Sequence, residues 1–368
     1  MKEIRVLQFG LSNNYGGLES FVKNMYEHID RSKVKFDFVD YSNHQLAYYN
    51  YYKKEGCTIY QIVRRKKNPL KSYKQLKKII IEGKYDYIHM NVMNYNWMEP
   101  LKIANKYSPS TKVILHSHIG ASIRDNLKDI ILNYFGKKSV RKMKYLKLAC
   151  SINSGKYLFG SNDFTVIENG INEEEFEYNL FFRKKIRQKY GVQDDEILVG
   201  HVGNFSYQKN YPLLLKIFLE LKKKNLKFKL ILIGDDTKAI KEREFINNNN
   251  LQRDVIFCGM VKDVNEIYSA MDIFLFPSLY EGFSIAMVEA QCSGLMCFIS
   301  NTLKDNCNIG GNYYSIDITE LPRNIADKIC CEYSRDYDRK VKISDRYLAS
   351  NSAKKLEKFY IENIEGVR

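Results

Sequence analysis

Short, almost purely apolar runs alternate with longer amphipathic runs along the whole chain, and no other feature constrains the fold as strongly. In the first half the apolar runs predict strands at Ile4–Phe9, Phe36–Asp40, Thr58–Val63, Tyr85–Met90, Lys112–His116, Leu146–Ser151 and Phe164–Ile167. In the second half they predict strands at Ile197–Val202, Lys227–Ile233, Val255–Phe257, Ile273–Pro277 and Cys297–Ser300. A run such as Leu230-Ile231-Leu232-Ile233 lacks the alternation of a half-exposed strand and suits a parallel sheet covered on both faces. Helical periodicity falls between the runs, at Leu18–His28, Tyr73–Glu82, Trp97–Lys106, Pro212–Lys223, Val264–Met271 and Ser284–Cys292. Strand–helix alternation of this kind implies βαβ units and doubly wound parallel sheets.

The pattern restarts after Asn169-Gly170-Ile171, where an acidic stretch and a charged helix near Leu180–Tyr190 precede a fresh strand. The chain has 368 residues, which suits two domains. The expected division is 1–172 and 173–345, with the periodic segment 346–368 packing back on the first domain. The expected architecture is therefore α/β, two Rossmann-like doubly wound domains facing a cleft. Ligands of such sheets bind beyond the carboxyl ends of the strands, so the loops there are the places to look for chemistry.

The balance of 58 Lys+Arg against 43 Asp+Glu, a formal charge of +15, points to a polyanionic partner. No apolar stretch reaches the ~18 residues of a membrane span, and the apolar run at the start is too short for a signal peptide. The 8 cysteines contain no C-x-x-C pair and read as thiols in a reducing compartment, so the expected location is cytoplasmic.

Four loops carry candidate chemistry. Gly10 to Glu19 places Gly16-Gly17 between a strand and a helix, which either lets backbone amides approach a phosphate or merely makes a tight turn. His116-Ser117-His118 ends a strand with two histidines on one side; metal binding, a structural role and hydrogen bonding to substrate all remain open. Lys209 lies between a strand and a helix that starts near Pro212, and reads as either a phosphate contact or a solvated lysine. Glu281-Gly282-Phe283-Ser284 follows a buried strand, with Ser284 as the helix N-cap. Glu289, among apolar neighbours on that helix, needs either a hydroxyl-rich ligand or a surface lysine as partner.

Glu281 and Glu289 form E-x7-E, and the surrounding Pro277-Ser278-x-x-Glu281-Gly282-Phe283-Ser284…Glu289-Ala290 resembles retaining glycosyltransferases of family 4, which have the GT-B fold. Gly16-Gly17-x-Glu19, His118, Val166-Ile167-x-Asn169-Gly170-Ile171 and Lys209 follow in the family's order, so the resemblance spans nearly the whole chain. It is strongest to bacterial enzymes of capsular and exopolysaccharide synthesis. The resemblance implies a nucleoside-diphosphate sugar as donor, with a UDP-sugar favoured, and no metal or other cofactor. It implies that Glu289 binds the ribose and that Lys209, Ser206 and the Gly16 and Gly17 amides serve the diphosphate. Gly282, Phe283 and Ser284 would hold the sugar and β-phosphate, Met260 and Val261 would lie near the base, and Glu281 and His118 would face the reacting sugar. The chain departs from the family at Asn204, where an arginine is usual, so one cation on the diphosphate is missing. Asp336-Tyr337-Asp338 matches a metal-binding D-x-D but lies in a polar stretch and reads as chance.

Arg64–Lys71 and Lys137–Lys144 are acid-free basic runs, and 126–147 interleaves cations with Ile130, Ile131, Leu132, Tyr134 and Phe135. That pattern suits either solvated helix faces or a helix resting on an anionic bilayer, the second agreeing with a glycan acceptor on a lipid diphosphate and a peripheral position on the inner face of the cell membrane. Nucleic acid is not expected, because no zinc-finger, helix-turn-helix or RNP signature is present. The competing readings are a nucleotide-sugar epimerase of the same fold and a non-catalytic glycan- or polyanion-binding protein with a degenerate site.

Overall fold

The computed structural model describes residues 3–42, 44–118, 127–306, 308–310, 312–334 and 337–365. The chain forms two compact units, Met1–Gly170 together with Ala349–Arg368, and Ile171–Leu348.

The first unit contains β1 Ile4–Phe9, β2 Val34–Asp40, β3 Ile59–Gln61, β4 Tyr87–Val92, β5 Lys112–Ser117, β6 Leu146–Ala149 and β7 Thr165–Val166. They make one parallel sheet in the order β3-β2-β1-β4-β5-β6-β7. The strand order reverses direction between β1 and β4. The second unit contains β8 Ile197–Val202, β9 Phe228–Ile233, β10 Val255–Phe257, β11 Ile273–Phe276, β12 Met296–Ser300 and β13 Tyr313–Ile316. These too are parallel, in the order β10-β9-β8-β11-β12-β13, with the reversal between β8 and β11.

The continuous apolar runs have the physical cause expected of them. Leu230 and Leu232 of β9 join one buried cluster with Phe218, whereas Ile231 and Ile233 join another with Tyr268. Both sheet faces are thus covered by helices, and each buried Leu or Ile contributes roughly 1.5–3 kcal/mol. The helix Leu180–Tyr190 is fastened to the second sheet by a buried charge hub at Asp272. Asp272 accepts from Arg183 at 2.7 Å, from Arg187 at 3.1 Å and from the Leu198 amide at 2.7 Å.

Several elements differ from the sequence pattern. The helix predicted from Tyr73 starts at Pro69, because Asn68 caps it by accepting from the Lys71 amide and Pro69 needs no donor there. β13 is an edge strand of partly exposed Tyr313-Tyr314-Ser315 and lacks the apolar run that marks the others. Helices at Ile152–Phe159, Ile240–Asn248 and Pro322–Glu332 were not marked by the periodicity. Tyr52 is a core residue whose ring lies 4.1 Å from that of Phe38. Among the described residues no helix is long and apolar enough to cross a membrane.

Candidate functional site

In the second unit the loops that follow β8 and β11 meet at the point where the strand order reverses. The Leu279 amide donates to the Gln208 carbonyl at 2.9 Å, the Gln208 side chain donates to the Tyr280 carbonyl, and Asn210 donates to the Pro277 carbonyl. This lacing fixes Lys209 beside Glu281. Lys209 Nζ is 2.7 Å from Glu281 Oε1, and the two side chains are only 13% and 10% exposed. The ammonium also lies 4.4 Å from the centre of the Phe276 ring. Gly203 makes room for this geometry, since a Cβ there would come within 2.8 Å of Lys209 Cε. Lys209 is therefore not a solvated lysine, and its charge is met by a carboxylate from the next strand's loop.

The helix Ile285–Cys292 starts just past this pair, with Ser284 as its N-cap. Ser284 makes no side-chain cap bond, and although the Met287 amide turns back to the Ser284 carbonyl at 3.2 Å, the Ile285 and Ala286 amides ahead of it have no intrahelical acceptor, so this end can take an anion. Gly282 and Ser284 are buried, and the Phe283 ring stacks 5.8 Å from that of Tyr347.

Glu289 is on the same helix and is 7% exposed. Among the described residues no surface lysine pairs with it; the Tyr268 hydroxyl donates to its Oε2 at 2.9 Å. Burial pushes its carboxyl up to about 7, with the Tyr268 hydrogen bond pulling the other way and Glu175 adding to the rise. Such a carboxyl has one oxygen engaged by Tyr268 and retains acceptor capacity for a further hydroxyl.

The remaining predicted residues of this unit surround the strand ends. Asn204 and Ser206 are exposed on the loop after β8. The loops after β8, β9 and β10 are linked, with the Gly203 amide donating to Ile233 and the Gly234 amide to Gly259. Met260 is exposed just beyond, and Val261 packs against the core.

In the first unit the reversal point lies between β1 and β4. Gly10 leaves β1 at φ +100°, and a Cβ there would sit 2.1 Å from the Asn91 carbonyl. The loop after it folds onto the helix Gly17–His28, because the Ser12 amide and hydroxyl both donate to Glu19, at 2.8 and 2.7 Å. Gly16 is the N-cap and Gly17 the first helical residue, so a carboxylate of the chain itself already stands at that helix start.

His116 and His118 belong to a row of polar residues on one sheet face. Gln8 is in register with His89, and Asn91 with His116. The Tyr360 hydroxyl lies 2.6 Å from His89 Nδ1. His89 Nε2 is 3.1 Å from His116 Nδ1, and His118 Nε2 is 3.0 Å from Asn91 Oδ1. Burial holds the His89 and His118 imidazoles down to about 3, and His116 well below its ordinary range. Among the described residues no group of three or more His, Cys, Asp or Glu side chains is placed to hold a metal ion. Asp336 of the D-x-D lies outside the described residues.

Sequence reasoning missed Tyr268, Gln8, His89, Asn91 and Tyr360, and it named Glu19 without its bond to Ser12. Only His89 and Asn91 had a local signal, as polar residues two apart at the end of an apolar strand. The partners of the others are distant in the chain.

Residues 182–316 match the family described as Glycosyl transferases group 1. The chain is similar to the glycosyltransferase EpsF of Bacillus subtilis, with 29% identity over 318 residues that cover 83% of this chain and 81% of EpsF. It is similar to the UDP-Gal:alpha-D-GlcNAc-diphosphoundecaprenol alpha-1,3-galactosyltransferase of Escherichia coli, with 25% identity over 280 residues, 72% of this chain and 70% of that protein. Among solved structures, HepE of Anabaena in complex with UDP and glucose superposes with a TM-score of 0.76 at 17% identity, covering 99% of this chain and 100% of HepE.

Proposed function

We propose that this chain, a group 1 glycosyltransferase on the GT-B fold, transfers a hexose or N-acetylhexosamine from a nucleoside-diphosphate sugar to a glycan acceptor, retaining the anomeric configuration. The observation that carries the reading is the Lys209–Glu281 pair at the β8–β11 reversal, followed by the open helix start that leads to the buried Glu289. Cation, helix amides and a buried acceptor carboxyl in that order match a diphosphate joined to a ribose.

In this reading Glu289 accepts from the ribose hydroxyls, and Lys209, Ser206 and the first helical amides hold the diphosphate. Gly282, Phe283 and Ser284 bind the sugar and β-phosphate, Met260 and Val261 flank the base, and Asn204 lies near the phosphates. In the first unit the Gly16 amide is already given to the Asn14 carbonyl at 3.0 Å, so Gly17 alone of that pair offers an amide to the diphosphate, and His118 offers a ring nitrogen to the sugar. The bond from the anomeric carbon to the β-phosphate oxygen breaks as the acceptor oxygen attacks the same face. The acceptor proton passes to the departing phosphate, so the chain mainly orients the reactants and stabilises charge. Lys209 and the helix dipole serve the leaving group without a metal ion. A UDP-sugar is favoured because the E. coli relative is named for UDP-Gal and the HepE complex holds UDP.

A lipid-diphosphate-linked acceptor and peripheral attachment to an anionic membrane complete the reading. The helix Leu127–Val140 exposes Ile130, Ile131, Tyr134 at 63% and Phe135 at 60%, and Lys137, Lys138, Arg141, Lys142 and Lys144 follow closely. Each cation near an anionic surface adds about 1 kcal/mol. Flotation with anionic vesicles and not with zwitterionic ones is the expected result.

The decisive experiment is a thermal-shift panel of UDP-, GDP- and ADP-sugars on the wild type and on Lys209→Ala. A ligand at a hundred times its Kd stabilises by about 2.7 kcal/mol, so one class should raise the melting temperature by several degrees. Lys209→Ala should weaken that ligand roughly 10- to 100-fold. A panel in which no nucleotide sugar shifts the wild type overturns the reading.

A further inference from the structure

We propose that Asn91 is a positioning residue that locks His118 in one tautomer, so that His118 Nδ1 presents a bare lone pair to a hydroxyl of the bound ligand. The inference rests on the functional reading above only for the identity of that ligand, a sugar.

The polarity of the network follows from one obligate acceptor. Asn91 Nδ2 is 2.9 Å from the Phe9 carbonyl, which can only accept, so the amide nitrogen must face it. The same nitrogen donates to Gln8 Oε1 at 3.1 Å. Asn91 Oδ1 is therefore the atom that meets His118 Nε2 at 3.0 Å. A carbonyl oxygen can only accept, so His118 Nε2 carries the hydrogen. The imidazole is neutral, because burial opposes its protonation, and a neutral ring has one N–H only. Nδ1 is then a lone pair, and among the described residues it is buried with no hydrogen-bond partner.

A buried acceptor without a donor is costly, about 1–3 kcal/mol. A ligand that supplies an O–H recovers that loss. A phosphate or carboxylate oxygen cannot, because two lone pairs would face each other. The geometry thus assigns His118 Nδ1 to a hydroxyl group of the ligand and not to a phosphate oxygen. The neighbouring row does not undo the assignment. The Tyr360 hydroxyl meets His89 Nδ1 at 2.6 Å and His89 Nε2 meets His116 Nδ1 at 3.1 Å, and neither contact involves a nitrogen of His118. The His118 ring lies against that of His116 at 4.2 Å and of Phe21 at 5.2 Å, which fixes its plane without touching its tautomer.

The test is long-range ¹H–¹⁵N correlation of histidine rings in the full-length protein. The chain has 6 histidines, so His118→Gln identifies the resonances by their loss. The expected wild-type spectrum shows His118 protonated at Nε2 and bare at Nδ1. Asn91→Leu should convert that ring to a mixture of tautomers and lower turnover about tenfold with little change in KM for the donor. A wild-type His118 protonated at Nδ1 overturns the proposal, whatever becomes of the variant, and so does an Asn91→Leu protein that keeps the wild-type tautomer. Saturation with the donor found in the nucleotide-sugar panel should move His118 Nδ1, whereas the matching nucleotide without its sugar should not. An Nδ1 signal that stays in place with donor bound also overturns it. If no nucleotide sugar binds, the functional reading fails, and the tautomer spectra still decide whether Asn91 sets the ring.

Discussion

Lys209 and Glu281 neutralise each other, so in the proposed donor site a diphosphate would share Lys209 with a carboxylate. Glu281→Gln removes that competition. Nucleotide binding measured by calorimetry should tighten about three- to tenfold, the size of a partly exposed charge pair, while sugar transfer falls at least ~100-fold. A structural pair would give the opposite, with weaker binding and a lower melting temperature. Glu289 makes a second prediction. With its carboxyl raised to about 7, it is half-protonated at neutral pH. If the carboxylate is the form that accepts from ribose, nucleotide affinity rises tenfold per pH unit below 7 and levels off above it. Calorimetry at pH 7 in buffers of different ionisation enthalpy should then detect release of about half a proton. Neither effect was legible in the sequence. The E-x7-E spacing identifies two acids on one loop–helix segment, but Tyr268, which sets the state of the second, belongs to another helix.

At the level of elements, strands were legible where an apolar run marks them, at the sheet edge β10 as well as inside the sheets. β1, β8 and β10 have the bounds the apolar runs predict, whereas β13 carries partly exposed tyrosines and leaves no apolar signature. Asn68 and Pro69 set a helix start four residues before its apolar periodicity begins, since capping chemistry and core packing are separate signals. The attachment of the helix Leu180–Tyr190 was invisible because its partners, Asp272 and the Ala270 and Met271 carbonyls, lie some ninety positions away. Asp272→Ala leaves Arg187 buried without its carboxylate, which costs about 3–5 kcal/mol. Chemical denaturation should show that loss, and a change below ~1 kcal/mol would mean the hub is dispensable.

Across the molecule, the buried titratable groups do not act evenly on the two units. His89, His116 and His118 of the first unit all have imidazoles held below their ordinary value by burial. Their contribution to stability is present above the unfolded value near 6.5 and is lost as pH falls toward about 3. In the second unit His201 behaves the same way, but Glu289 opposes it. A carboxyl raised to about 7 favours the folded state most below its unfolded value near 4.5, and that benefit is lost as pH rises through 7. Acidification from pH 7 to 5 should therefore weaken the first unit more than the second, and a single denaturation transition should divide into two. One transition that moves as a whole would contradict this. The arrangement of the chain has its own consequence. Because Ala349–Arg368 belongs with Met1–Gly170, the second unit is an insertion within the first. During synthesis the middle of the polypeptide can finish folding while the beginning still waits for Tyr360, which covers His89 and Tyr87. A stop codon at position 349 should yield a protease-resistant fragment from the middle of the chain and an N-terminal segment that is digested.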